Sequence, residues 1–334
     1  MKRLAPLAAI LLACVWAEPA DGFRRAGTTG APFLKLAADA RAAGLAGATV
    51  ALPGGHQPAW AGAGNLLINP AGPAGSLENS LEFSQERRFA QISLGQVLGS
   101  RPLSARSTLT LGLAWLQVPE QEITTLEQPD GTGESYSAGD IALGLGLATR
   151  LTDRLAWGGL VRWIRQDLHR ERAQGAAVDL GLLLDTGWRD LTLGLAVANF
   201  GPRLQLSGED LLVEAGDGRP AHLQTGEFQL PLVFRAGLHD RLWRKGLQRL
   251  DGALQIEHPN DNRQNLRLGL EYAWQERVLL RAGRHLRRDL EQHALGLGLR
   301  LPLAGGRTLT LDYAWTTQQR LAATHQLAAG LLFH

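Results

Sequence analysis

Apolar residues alternate with small or polar residues from residue 80 to the C-terminus. Between 108 and 115, for example, leucine and tryptophan occupy the odd positions, and threonine, glycine and alanine occupy the even positions. A period of two places the two sets on opposite faces of a β-strand. The pattern predicts fourteen strands, at 80–86, 89–98, 107–116, 138–150, 155–166, 176–186, 191–199, 228–240, 249–257, 265–274, 278–285, 293–302, 307–316 and 324–333.

The predicted connections alternate between short and long. Those after the fourth, sixth, tenth and twelfth strands are tight turns, at 152–154, 187–190, 275–277 and 304–306. Those after the odd-numbered strands from the third onward are mostly longer, and the longest are 117–137 and 200–227. Short turns on one side and longer loops on the other are typical of an up-and-down membrane barrel. An even number of strands also places both ends of the barrel on the same side.

Three features favour a membrane barrel over a soluble β-sandwich. The second face of the strands is rich in glycine, alanine and threonine. Strands that touch lipid must close into a barrel, because backbone groups there have no water to pair with. Aromatic residues lie near strand ends, as in the girdles of membrane barrels: Trp115, Trp157, Trp163, Trp188, Tyr272, Trp274, Tyr313 and Trp315. The predicted fold is therefore all-β, a closed antiparallel transmembrane β-barrel.

Such a barrel is too wide for its own side chains to fill. We therefore expect the segment before the strands to lie in the lumen as a plug, or hatch. That segment is rich in glycine, alanine and proline, contains one helix-compatible stretch at 33–45, and has no large apolar face of its own. The expected division of the chain is a signal peptide at 1–17, a hatch segment at 18–79 and the barrel at 80–334.

The N-terminus predicts export. Lys2 and Arg3 precede an apolar run at 4–15, and cleavage after Ala17 is favoured because small residues occupy positions suited to a signal peptidase. Cys14, the only cysteine, offers the alternative of a lipoprotein signal. If 1–17 is removed, the mature chain has no cysteine, which excludes disulfides and cysteine-based metal sites.

Charged residues recur on the face of the strands opposite the leucines. The lumen-facing set is predicted to include Asp140, Arg162, Asp179, Asp185, Arg235, Asp251, Glu257, Arg267, Glu271, Arg281, Arg300 and Asp312. Acids and bases are nearly balanced in this set, so mutual pairing is the first interpretation. A polar lining that selects a solute is the alternative.

No enzyme signature is present. The chain has no Gly-x-Ser-x-Gly, His-Glu-x-x-His or Walker motif, and no catalytic, cofactor or metal site is predicted. A lipid-modifying enzyme remains an alternative only through Ser207, Glu209 and His222 in the longest loop. The formal net charge of +2 is spread along the chain, which gives no support to nucleic-acid binding.

Ordered short motifs span nearly the whole mature chain. They are Gly27-Thr28-Thr29-Gly30, Phe33-Leu34-Lys35, Ala40-Arg41-Ala42-Ala43-Gly44, Asn69-Pro70-Ala71-Gly72, Leu151-Thr152-Asp153, Asp179-Leu180-Gly181, Asn199-Phe200-Gly201-Pro202, Leu230-Pro231 with Phe234-Arg235, Glu257-His258-Pro259-Asn260-Asp261, Leu280-Arg281-Ala282-Gly283 and Leu311-Asp312-Tyr313-Ala314. In this order they resemble the PorV/PorQ family, outer-membrane barrels related to the fatty-acid transporter FadL.

The resemblance implies a fourteen-stranded barrel with an N-terminal hatch, to which Phe33, Arg41, Asn69 and Pro70 would belong. It implies an export-related or envelope role in the outer membrane, with secreted proteins or secretion components as partners. The alternative is a FadL-like channel for small hydrophobic molecules, against which the polar inward set argues mildly. The chain departs from the family at 53–60, where an acidic stretch is missing, and at its end, Phe333-His334.

Overall fold

Fourteen long antiparallel strands close into one barrel. The structure, a computed structural model, describes residues 27–36, 39–52, 65–214, 220–286, 291–319 and 321–334. The strands are β1 (Asn79–Arg87), β2 (Ser93–Pro102), β3 (Ser107–Glu122), β4 (Ser135–Arg150), β5 (Leu155–Leu168), β6 (Glu171–Asp185), β7 (Thr192–Phe200), β8 (Val233–Lys245), β9 (Gln248–Pro259), β10 (Asn265–Trp274), β11 (Val278–Leu286), β12 (Glu291–Leu303), β13 (Arg307–Gln318) and β14 (Thr324–Phe333).

Each strand pairs with its neighbours in sequence, and β1 pairs with β14. This last ladder runs from Asn79 opposite Phe333 to Arg87 opposite His325, so the sheet has no free edge between its first and last strands. A closed sheet satisfies its backbone hydrogen bonds internally, which is the condition for crossing a lipid bilayer with strands. The predicted closed barrel of fourteen strands is confirmed.

The two faces of the wall differ as the alternation predicts. In β4, Leu143, Leu145 and Leu147 point outward and are between 38% and 56% exposed. Ala142 and Ala148 of the same strand point inward and are buried. The outside of the barrel is therefore an apolar surface, and its inside is lined by small and polar side chains.

The connections define two ends of the barrel. We call the turn end the side with the links at 103–106, 151–154, 186–191, 246–247, 275–277 and 304–306, and the loop end the side with the links at 88–92, 123–134, 169–170, 201–232, 260–264, 287–290 and 319–323. The predicted strict alternation of lengths is wrong at one point. β5 and β6 are joined at the loop end by His169 and Arg170 alone, and His169 adopts the left-handed conformation that so tight a turn needs.

Two predicted strands were misplaced. The second strand was expected at 89–98, but Phe89–Gln91 forms a 3-10 turn and the strand begins at Ser93. The eighth was expected at 228–240, but it begins at Val233. Pro231 lies just before it, and a proline has no backbone N–H with which to continue a ladder.

A β-bulge interrupts the wall between β6 and β7. The pairing register shifts between Val178 and Leu180, and Asn199 opposite them has a φ of 65°. Beyond the bulge β7 ends, and the loop-end half of β6 is covered by the segment 201–232, which pairs with it through Ser207–Gly208. The same segment carries a 3-10 turn, Glu209–Leu211, and the short hairpin Leu212–Glu214 with Pro220–His222.

The described part of the N-terminal segment lies inside the barrel. It contains a 3-10 turn at Pro32–Lys35 and a short helix, α1, at Ala40–Gly44. The helix-compatible stretch expected at 33–45 is therefore not one helix. Asp39 caps α1 by accepting hydrogen bonds from the backbone N–H groups of Arg41 and Ala42. We refer to the described residues 27–36, 39–52 and 65–78 as the hatch.

The proposed signal peptide at 1–17 lies outside the described residues. Within the described ranges, no helix is long and apolar enough to cross a membrane.

Candidate functional site

The four hatch residues singled out in the sequence occupy buried positions in the lumen. Phe33 is buried in an apolar cluster with wall residues, and Arg41 forms an ion pair with Glu271 of β10. Asn69 is fully buried, and Pro70, also buried, lies next to it. All four therefore contribute to packing between hatch and wall.

Asn69 joins two parts of the hatch to each other and to the wall. Its side-chain amide donates to the carbonyl oxygens of Val50, at 2.7 Å, and of Leu182 in β6, at 3.2 Å. Its Oδ1 accepts from the N–H of Ala71 at 3.0 Å. Because buried polar backbone groups must be paired, one asparagine here satisfies three of them.

Gln255 of β9 holds the hatch on the opposite side of the lumen. Its Oε1 accepts from the backbone N–H groups of Thr49, at 3.1 Å, and Val50, at 2.9 Å. This residue was missed in the sequence, although it shares the inward parity of Asp251 and Glu257 on the same strand.

Glycines in the wall allow the hatch backbone to approach closely. A Cβ on Gly158 of β5 would fall onto the carbonyl group of Pro70, and one on Gly194 of β7 would fall onto the carbonyl group of Val50. Any larger residue at these inward positions would have to push the hatch backbone away. The small residues on the second face of the strands therefore form part of the wall surface against which the hatch packs.

A buried group of charges lies where α1 meets the wall. Glu271 accepts from the guanidinium groups of Arg41, at 3.1 Å, and Arg281, at 2.7 Å, and it lies 3.4 Å from Arg249. Arg281 also pairs with Asp312 of β13. We call these five residues the Glu271 cluster. One carboxylate thus serves three arginines, one of which belongs to the hatch.

Burial shifts the pKa values of the two charged residues at the start of α1. The pKa of Asp39 lies above its ordinary value, first because burial penalises the carboxylate and second because Asp312 is nearby. The pKa of Arg41 is lowered, chiefly by burial, and Glu271 opposes this effect. The hatch therefore contributes a carboxyl group that resists ionisation where it is docked.

We expect Asp39→Asn to remove part of the pH dependence of stability. As pH rises above 3.8, the ordinary value for Asp39, the unfolded chain loses this proton before the folded chain does, so stability falls until the pH passes the raised pKa. Asparagine keeps the capping oxygen but has no proton to lose. Urea unfolding at several pH values would show a smaller fall for the variant, whereas the exposed Asp153→Asn should behave like the wild type.

A second charged group lies at the bulge. Arg162 of β5 contacts both carboxylate oxygens of Asp179 in β6, at 2.7 and 2.6 Å, and also Asn199. The backbone N–H of Asn199 donates to Asp179 at 2.6 Å, and its side chain donates to the carbonyl oxygen of Pro231 at 2.7 Å. These bonds hold Asn199 in its left-handed conformation and fix where β7 ends.

A third group joins β8, β9 and β10. Glu257 accepts from Arg235 at 2.9 Å and from Arg267 at 2.5 Å. Arg235 also reaches the carbonyl oxygen of Ile68 in the hatch, at 3.5 Å. This group therefore adds a further polar contact between the wall and the hatch.

The remaining predicted charges also face inward. Asp140 is half-buried and accepts from Gln166, whose Oε1 in turn accepts from the N–H of Ala31 in the hatch. Arg300 of β12 is buried on the inner face. Asp261, after β9, is a second contact that the sequence analysis did not identify, and it binds both Lys35 and Thr29 of the hatch.

On the side of β2–β6, the loop-end half of the lumen contains an apolar region. Its wall and hatch side chains form one buried cluster, which we call the apolar chamber: Ala31, Phe33, Leu94, Ala142, Ile164, Ala173, Ala177, Leu204 and Leu230, with Leu34, Leu36, Leu116 and Leu206 packed against it. A cavity of about 20 Å³ remains at its edge, between the hatch and β2–β5. The chamber is thus almost filled by the leucines of the hatch and of segment 201–232.

A larger space opens at the turn end. This cavity of about 270 Å³ lies between Ala71 and Ala74 of the hatch and the turns at 151–154 and 186–191. Its rim carries both signs of charge, among them Arg150, Arg154 and Asp185. We call it the turn-end vestibule, and the hatch separates it from the apolar chamber.

The described residues show no arrangement typical of a metal site. They include no group of three or more histidine, cysteine, aspartate and glutamate side chains that could hold a metal ion. The hydroxyl of Ser207 donates to the carbonyl oxygen of Arg172 at 3.4 Å. The side chain of His222 lies outside the described residues.

This architecture, a closed barrel of fourteen strands around an N-terminal hatch, is a fold that recurs among solved structures. Among solved structures, the chain is similar to the toluene transporter TodX of Pseudomonas putida, with a TM-score of 0.54, 14% identity and coverage of 85% of this chain and 96% of that one. It is also similar to a FadL homologue of Pseudomonas aeruginosa, with a TM-score of 0.55, 12% identity and coverage of 88% and 98%.

A third similar structure is the monoaromatic hydrocarbon channel CymD, with a TM-score of 0.53, 11% identity and coverage of 82% of this chain and 92% of that one. At these identities the likeness establishes the fold, which is that of the FadL-like barrels. No protein-family model matches the chain, and no curated protein matches it. The narrower resemblance to PorV/PorQ stays a prediction.

Proposed function

We propose that the protein is an integral outer-membrane barrel that admits small hydrophobic molecules. In this proposal residues 1–17 are a cleaved signal peptide, the loop end faces the cell exterior and the turn end faces the periplasm. The apolar outer surface supports the membrane location, because exposed leucines around a closed sheet suit a hydrocarbon environment. The mass of the protein purified from outer membranes tests the cleavage.

The apolar chamber is the observation that carries this function. The Glu271 cluster and the group at the bulge are charged and paired, whereas the apolar chamber consists of aliphatic and aromatic side chains, with Arg162 at the edge of its cavity. Burial of apolar surface is the main source of affinity for a hydrocarbon. The chamber would receive the molecule and the turn-end vestibule would release it. TodX is a toluene transporter and CymD is a monoaromatic hydrocarbon channel, and both support this choice of solute.

Passage requires movement of the hatch. A cavity of about 20 Å³ has room for about one water molecule and cannot hold a hydrocarbon. A ligand would have to displace hatch residues that line this cavity, which are Phe33, Leu34, Leu36 and Leu67. The described state is therefore the closed state of the proposed channel.

We expect Ala142→Phe to block uptake. Ala142 is buried, points into the apolar chamber and lines its cavity, so a phenyl ring there would occupy the space that the ligand needs. Uptake of radiolabelled toluene by cells expressing the variant should fall to the level of cells that lack the protein. Electrophoresis with and without heating would verify that the barrel has folded.

Leu143→Phe is the matched control. Leu143 is the next residue of β4 and points outward, 46% exposed. It carries a ring of the same size into the lipid and should leave uptake unchanged. Normal uptake by the Ala142→Phe variant would refute the proposed route.

A second candidate function is the export-related role of the PorV/PorQ type. The feature that favours it is the loop end, where segment 201–232 and the projecting β3–β4 hairpin give a broad surface. Secreted proteins or secretion components would be the partners, and neither role requires catalysis. The secretome of a deletion strain separates the two functions: altered export with normal hydrocarbon uptake would support the second and exclude the first.

A further inference from the structure

A row of basic side chains faces outward at the loop end of five adjacent strands. It consists of Arg284 in β11, His293 in β12, His325 in β14 and Arg87 in β1, and all four side chains are exposed. We call these residues the cationic rim. They lie on the face of the wall that carries the leucines, at its loop end.

The strand registers make the rim continuous. Arg284 lies directly opposite His293, whose backbone is hydrogen-bonded to the side chain of Thr317 in β13 at 3.0 Å. Trp315, two residues before Thr317, lies opposite His325, which in turn lies opposite Arg87. With strands about 4.8 Å apart, four steps from β11 to β1 span about 19 Å. The rim is therefore wide enough for several lipid headgroups side by side.

Aromatic residues mark the level of the rim relative to a membrane. Tyr313 and Trp315 of β13 lie beside it on the same face, and the hydroxyl of Tyr313 is 2.8 Å from Nδ1 of His325. Tyrosine and tryptophan concentrate at the level of lipid headgroups in membrane barrels. The rim therefore lies where the phosphate groups of the outer leaflet would be.

Within the part of the chain that the structure describes, the two arginines of the rim are not neutralised by carboxylates. Among the described residues, no carboxylate forms an ion pair with Arg87 or Arg284, and Glu86 beside Arg87 points into the lumen, where it pairs with Arg88 at 3.1 Å. The opposite side of the barrel differs. There the outward-facing Arg165 and Arg172 both bind Asp167, at 2.7 and 2.8 Å.

We propose that the cationic rim binds the phosphate groups of anionic lipids in the outer leaflet. A guanidinium group pairs well with phosphate oxygens, and imidazole N–H groups can donate to the same oxygens. The proposal rests on the outer-membrane location proposed above. It assigns the strands β11–β14 and β1 as the side of the barrel that recruits a specific lipid, a role separate from the route of the transported molecule.

The test compares lipids bound to the intact purified protein. The protein in neutral detergent is titrated with lipid A, phosphatidylglycerol or phosphatidylcholine, and bound lipids are counted by native mass spectrometry. We expect lipid A and phosphatidylglycerol to bind more tightly than phosphatidylcholine. The double variant R87Q/R284Q should lose affinity for the two anionic lipids by about fivefold for each arginine removed.

R165Q/R172Q is the matched control, because it removes two outward arginines that the protein itself neutralises. It should bind anionic lipids as the wild type does. Equal affinity of R87Q/R284Q and the wild type for lipid A, or no preference for anionic lipids, would overturn the proposal. Toluene uptake is measured in parallel, so a failure of the channel function would be seen separately from a failure of lipid binding.

Discussion

Replacing Glu271 by glutamine is expected to lower the free energy of unfolding of the barrel by about 3–5 kcal/mol. The carboxylate is 1% exposed and lies within 3.4 Å of Arg41, Arg249 and Arg281. Glutamine has nearly the same shape but no charge, so all three arginines would lose the carboxylate that they share. Arg281 would keep its ion pair with Asp312. Arg249 would keep those with Asp251 and Glu276, so the loss would fall mainly on Arg41. Uncompensated buried charge is among the most destabilising changes known in proteins.

Unfolding by urea in lipid vesicles, followed by tryptophan fluorescence, measures this loss. Glu276→Gln is the control, because Glu276 also binds Arg249, at 2.7 Å, but is 43% exposed at the turn end. An exposed ion pair contributes about 0–1 kcal/mol, so the control should change little. Equal losses of unfolding free energy in the two variants would mean that burial does not determine how much the ion pairs of the Glu271 cluster stabilise the barrel.

Replacing Gly158 by valine is expected to dislodge the hatch while leaving the barrel closed. A side chain here would collide with the backbone carbonyl of Pro70, which cannot move without moving the hatch. Overpacking of this kind costs about 1–3 kcal/mol. Because 1.4 kcal/mol changes an equilibrium tenfold, the open population should rise between about fivefold and hundredfold.

Conductance in planar bilayers reports an opened lumen, and we expect the variant to conduct ions where the wild type is nearly closed. Gly159→Val is the control. Gly159 points outward, and a Cβ there would make ordinary contacts with Trp157 and Leu180, at 3.5 and 3.9 Å. If Gly158→Val stayed closed, or if Gly159→Val conducted equally, packing of the hatch against Gly158 would not be what keeps the lumen closed.

The barrel could be predicted from the sequence because the membrane enforces the pattern. Each crossing strand must present apolar side chains to lipid and small or polar ones to the lumen, so period two runs through the central part of β3, β4, β10, β12 and β13. Boundaries were less certain. Nothing in the alternation at 89–98 shows that Ala90 and Gln91 adopt left-handed conformations and delay the start of β2.

The sequence predicts which face of a strand each charged residue occupies, but not which residue it pairs with. Parity along a strand places Glu271 on the inner face, yet its ion pair with Arg41 joins residues 230 positions apart. Pairing between residues so far apart in the sequence depends on strand tilt and on how the hatch folds. Neither can be inferred from a local sequence pattern. The bulge at Asn199 was hidden for the same reason, since its cause is a hydrogen-bonded network with Arg162 and Asp179.

The apolar chamber was missed although a signal existed. Leu94 and Ile164 are apolar residues at inward positions of β2 and β5, among the charged and polar residues of the inner face. An inward leucine or isoleucine in a membrane barrel has no lipid to face, so it must pack against a plug or a ligand. The apolar residues at the inner positions of all strands, taken together, indicate the apolar chamber.

The two sides of the lumen hold the hatch by different forces, and this asymmetry gives the hatch a preferred direction of travel. Ionic and amide contacts tie it to β9, β10 and the residue that follows β9, through Gln255, Glu271 and Asp261. Toward β2–β6 it packs mainly against apolar side chains, and in the proposed function the transported hydrocarbon could replace these contacts at little cost. The hatch would then move by a hinge motion, in which its contacts with β9 and β10 are kept and the part that carries Phe33 moves away from the wall.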